Sequence, residues 1–95
     1  MITTHILDTS KGRPAAGISV VLEHGGKEIA RGVTDADGRL GVGEPPAAGE
    51  YRLTFDVKGA FYPVVTVVFV VGDPKQHHHV PLLISPYGYS TYRGS

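Results

Sequence analysis

Five histidines, three of them consecutive, are the side chains of this chain best suited to move a proton near neutral pH. Alternate residues of a strand share a face, so His77 and His79 project together and His78 projects the other way. His5 stands near the start of the chain, in Thr4-His5-Ile6-Leu7-Asp8. A positioned neutral imidazole activates water as a general base without any cofactor, and this is the first chemistry that the set allows. His-x-His is equally a zinc-ligand pattern or a polar strand start, and spacing alone leaves these readings open. His24, beside Gly25-Gly26, is expected in a hairpin turn and solvated.

Other polar groups carry less on their own. Arg39 follows Asp37-Gly38, where an arginine is ordinarily an exposed charge or an ion-pair partner. Arg52 alternates with Tyr51 and Leu53 and is expected on a solvent face. Asp35 and Asp37 read as turn formers, and Asp8 as the cap of the turn that follows the first strand. Tyr92-Arg93-Gly94-Ser95 supplies a phenol, a guanidinium, a flexible step and a carboxylate. Gly94 would let the backbone turn and bring Ser95 back onto a pocket, where an ordinary end would fray. No Ser-His-Asp or Cys-His arrangement, phosphate loop or dinucleotide fingerprint is present.

The elements that must position these groups are strands. Thirteen glycines and seven prolines break the chain into short runs rich in Val, Ile, Leu, Tyr, Phe and Thr. Strands are expected near 2–7, 18–23, 27–34, 39–42, 50–56, 64–71, 79–84 and 88–92, forming an all-β sandwich within one domain, 1–95. The run Val64–Val71 is almost continuously apolar, which predicts cover on both faces, by the sandwich on one side and by a partner subunit or loop on the other. Nine basic residues balance nine acidic ones, leaving no basic stripe for nucleic acid and no polybasic membrane anchor. With no cysteine and a modest core, oligomerisation is the expected route to stability. No secretory signal or peroxisomal address is visible, which favours a bacterial cytoplasm.

The stretches "THILDTSKGRPAAG", "TDADGR", "GEYRLTF" and "FYPVVTVVF", with the H-x-H-V-P-L-L and S-P-x-G pattern before the closing "YSTYRGS", resemble the 5-hydroxyisourate hydrolases, transthyretin-related enzymes of urate breakdown. The resemblance implies a transthyretin-like sandwich of two four-stranded sheets, assembled as a homotetramer with active sites at subunit interfaces. Members carry a short helix between the fifth and sixth strands. Only Val57–Pro63 fills that space here, so the helix is expected to be shortened or missing. The resemblance further implies catalytic roles for His5, Arg39 and His79, and a substrate pocket completed by Tyr92, Arg93 and the Ser95 carboxylate. His78 replaces the tyrosine of the common H-Y-H triplet and is expected to pack. The implied reaction opens 5-hydroxyisourate at its N1–C6 amide, giving 2-oxo-4-hydroxy-4-carboxy-5-ureidoimidazoline, with no metal or cofactor. The alternatives are a non-catalytic carrier of a small aromatic ligand and a zinc-binding β-sandwich.

Overall fold

Alternation of apolar and polar residues sets the two faces of the first strand, and that strand organises the fold. In β1 (Ile2–Asp8), Ile2, Thr4 and Ile6 are buried while Thr3, His5 and Leu7 lie on the opposite face. The computed structural model describes residues 1–95 and contains strands and irregular connections but no helix. After β1 come β2 (Arg13–Pro14), β3 (Ser19–His24), β4 (Lys27–Val33), β5 (Arg39–Gly43), β6 (Gly49–Asp56), β7 (Val65–Val71), β8 (His78–His79), β9 (Leu82–Ser85) and β10 (Gly88–Thr91).

Two sheets result, as expected. One has four strands in the order β4-β3-β6-β7. The other is built around β1, with β9 and then β10 on one side, β5 and the short β2 and β8 also pairing with β1. It holds six segments where four strands are expected, for two local reasons. The two-residue β2 adds a piece that the sequence does not signal. The single strand expected over residues 79–84 is broken at Val80-Pro81, because proline has no N–H to give to the ladder. Both fragments still run parallel to β1.

Between the sheets lie Ile2, Ile6, Val20, Leu22, Leu53, Phe55, Val65 and Leu82, all essentially inaccessible to water. Burial of such side chains contributes roughly 1.5–3 kcal/mol each. The one polar side chain sunk to the same depth is Thr4, whose hydroxyl donates to the Val80 carbonyl at 2.6 Å. That bond ties β1 to the segment following the histidines.

The connection from β6 to β7 is the place where the short helix is absent. It turns tightly instead, with the Lys58 amide donating to the Pro63 carbonyl at 2.9 Å and Lys58 held at φ 56°. Gly59 fits because a Cβ there would stand 2.5 Å from the Tyr62 carbonyl oxygen. The apolar β7 is an edge strand, and within the chain only its inner face is covered: Val65 and Val71 are buried, whereas Val68 and Val70 are 50% and 71% exposed. No helix is long and apolar enough to cross a membrane.

Candidate active site

His5 and Arg39 are register partners of the antiparallel pair β1–β5, which brings the imidazole and the guanidinium side by side on the outer face of the sheet. A tight turn sets this register. Asp35 accepts hydrogen bonds from the amides of Asp37 and Arg39 at 2.9 and 3.0 Å, and Gly38 takes φ 72°. A Cβ at Gly38 would lie 2.5 Å from the Ile6 carbonyl oxygen, so glycine is required by space as well as by conformation. Asp37 makes no such side-chain bond, so Asp35 alone carries the turn role expected of both.

On the other side of β1, β8 runs parallel with Thr3 opposite His79. The His78 amide donates to the Met1 carbonyl and the Val80 amide to that of Thr3, at 3.0 and 2.9 Å, fixing which histidines face outward. His77 and His79 share a face, as the alternation predicts, and both reach the Thr3 hydroxyl, at 2.7 Å from His77 Nε2 and 2.8 Å from His79 Nδ1. His78 turns into the protein and bonds the Gln76 carbonyl through Nδ1 at 2.9 Å, the packing role expected of it. Thr3 is the residue that sequence reasoning missed. Its signal was its place two residues before His5, on the same face.

Burial, and then the charges of Arg39, His77 and His5, hold His79 below the usual histidine pKa. It is therefore neutral at pH 7, with Nδ1 engaged on Thr3 and Nε2 unpartnered within the chain. A neutral imidazole with a free ring nitrogen can accept a proton from water, and the guanidinium of Arg39 near it can stabilise negative charge as it develops.

The segment after β10 does not fray. Gly94 forms a β-bridge with His79, its amide donating to the His79 carbonyl at 2.8 Å. The glycine serves close approach rather than an unusual backbone angle: a Cβ there would collide with His79 Cδ2. Tyr92 and Arg93 line a groove of about 200 Å³ with His79, Val80 and Val67–Val70. Ser95 follows, exposed and without a hydrogen bond within the chain. A more voluminous hollow, about 350 Å³, lies under the β6–β7 connection among Tyr62, Tyr87 and Tyr89, but contains no histidine or arginine.

His24 corrects the sequence expectation. Rather than standing in solvent, its ring stacks on Tyr51 with centroids 4.1 Å apart, and Nδ1 donates to the Glu50 carbonyl at 2.9 Å. Asp8 does cap its turn, accepting from Ser10 and the Lys11 amide. No three histidine, cysteine, aspartate or glutamate side chains converge on a common point that could hold a metal ion. The rings of His77 and His79 lie 6.3 Å apart, and the nitrogen that each turns toward the other is engaged by the Thr3 hydroxyl.

The two-sheet β-sandwich that carries these histidines and the arginine on one outer face is a transthyretin-like fold. The chain belongs to the HIUase/Transthyretin family, which matches residues 2–94. It is 47% identical to a 5-hydroxyisourate hydrolase of Caulobacter vibrioides, over 99% of this chain and 97% of that one. That alignment runs over 112 positions against the 95 residues here, so at least 17 of them fall opposite gaps in this chain. The structure of the Klebsiella pneumoniae 5-hydroxyisourate hydrolase superposes with a TM-score of 0.89 at 40% identity, covering 99% and 98% of the two chains. Sea bream transthyretin, solved in complex with thyroxine, gives a TM-score of 0.84 at 33% identity, covering 98% of this chain and 93% of its own.

Proposed function

We propose that this protein hydrolyses 5-hydroxyisourate in urate degradation. The observation that carries the reading is the neutral His79, with one nitrogen free, grouped with His5 and Arg39 in a chain of this family. His79 takes a proton from water through Nε2 as the oxygen attacks C6 of the substrate. Arg39 pairs with the oxygen that becomes anionic at C6, where a guanidinium offers two parallel donors. The C6–N1 bond then breaks, His79 returns its proton to N1, which departs as the ureido nitrogen, and C6 stays on the remaining ring as a carboxyl group that releases the second water proton to solvent. His5, beside Arg39, helps to hold the substrate. Tyr92, Arg93 and Ser95 border it from the segment that Gly94 seats against His79.

A carrier like transthyretin needs no proton acceptor among its binding groups, and the retained histidines and arginine favour the enzyme over that reading. The deciding experiment follows freshly generated 5-hydroxyisourate by ultraviolet absorbance with and without the protein. Acceleration over spontaneous decay is expected. Decay at the spontaneous rate, with the ligand merely bound, would establish the carrier.

We further propose a homotetramer with sites at subunit interfaces, working in the bacterial cytoplasm. Support for assembly comes from the open apolar face of the edge strand β7 and from a core of twelve buried hydrophobic residues, small for a free-standing domain.

A further inference from the structure

Thr3 holds one hydroxyl hydrogen between two imidazole nitrogens, His77 Nε2 at 2.7 Å and His79 Nδ1 at 2.8 Å. A hydroxyl donates once and accepts at its lone pairs. If both contacts are full hydrogen bonds between neutral rings, the two rings must be complementary: one accepts from Thr3 and the other donates to it. The proton position on His77 and that on His79 are thereby coupled through Thr3, which lies 76 positions before His79 in sequence.

Of the two complementary arrangements, the surroundings favour one. Arg39 offers donors only, and its charge acts on His79 together with those of His77 and His5; Arg93 lies on the neighbouring segment that lines the same groove. Beside a guanidinium, the second nitrogen of His79 is more stable as a lone pair than as an N–H. His77 is exposed, so an N–H on its Nδ1 is readily solvated. Resting on the hydrolase reading above, we infer that Thr3 is a positioning residue that donates to His77 Nε2 and accepts from His79 Nδ1–H, keeping the base lone pair of His79 on Nε2. His77 is the second member of this device. Without His77 the Thr3 hydroxyl has only His79 Nδ1 left to donate to, and turning to it moves the proton of His79 onto Nε2 and removes the base.

The ring nitrogens of His79 and His77 can be read directly by ¹⁵N–¹H correlation spectroscopy at neutral pH, together with steady-state kinetics of T3V, T3S and H77A. The expected wild-type result is a protonated Nδ1 and a bare Nε2 on His79. In T3V the tautomers should mix and kcat should fall about tenfold with KM unchanged, less than the ~10⁴ lost when a charged tautomer-fixing group is removed from a serine protease, since a hydroxyl carries no charge. T3S should recover most of that loss. H77A, a change at an exposed position, should lower kcat in the same direction. Wild-type His79 with its proton on Nε2, or unchanged kcat in both T3V and H77A, would overturn the inference. A protein that does not hydrolyse 5-hydroxyisourate at all would overturn the functional reading, and the nitrogen spectra would still decide this one.

Discussion

A neutral imidazole is useful only while it can still take a proton, and His79 is held in that state by partial burial and by Arg39. Activity is therefore expected to persist below the ordinary histidine pKa of about 6.5 and to decline only as pH passes the depressed value. In His79→Asn the rate should fall by roughly a hundredfold or more and that acid limb should vanish, as a pH–rate profile would show. Stability follows the same linkage. The unfolded chain takes up a proton on this residue first, so the contribution of His79 is complete above about pH 6.5 and is lost as pH falls from there to its folded pKa. Chemical denaturation of wild type and His79→Asn across this window should show a smaller pH slope in the variant. Gly94→Ala tests the neighbouring contact. A methyl group pressed against His79 Cδ2 must displace the ring or the chain end, so kcat should drop about tenfold or more while the thermal midpoint moves by only a few degrees, the position being outside the core.

At the level of elements, the turn at Asp35–Gly38 decides whether Arg39 meets His5. Gly38→Ala forces an alanine into φ 72° and onto a backbone oxygen, and should cost about 1–3 kcal/mol, measurable as a lowered urea midpoint, with loss of substrate affinity if the register slips. The strands themselves were legible because turn residues and alternation punctuate them: Gly25-Gly26 and Asp35–Gly38 stand where the sequence places turns, and Ile2, Thr4 and Ile6 point inward. The period of two also fixed the faces of the three consecutive histidines. What could not be read lies in long-range pairing. Thr3 looks like any strand threonine until β8 is laid beside β1, and nothing local to His24 announces the ring of Tyr51, which arrives from β6. Nor does a Gly before Ser95 declare whether it serves a bend or a close approach; only the position of His79 shows that it is the second.

For the molecule as a whole, the open question is what covers β7. Val70→Lys would place a charge in the middle of the open face at a residue 71% exposed in the single chain. If this face meets another subunit, light scattering should show the variant shifted to smaller species at concentrations where the wild type is assembled, at little cost to the monomer fold, because an exposed side chain away from the core usually costs within about 0.5 kcal/mol. An unchanged mass would place the subunit contact elsewhere.

The parallel pairing of β1 with β8 and β9 also governs when the site can exist during synthesis. Thr3 and His79 are 76 positions apart, and Gly94 closes on His79 later still. At a ribosomal rate of about 5–20 residues per second, the first strand waits several seconds for its partners. Over that interval β1 has β5 on one flank and an open hydrogen-bonding edge on the other, a template for any passing strand. A nascent chain is thus at its most vulnerable to misassembly late in synthesis, and conditions that delay translation past residue 71 should lower the soluble yield of this protein without changing the stability of the molecules that finish.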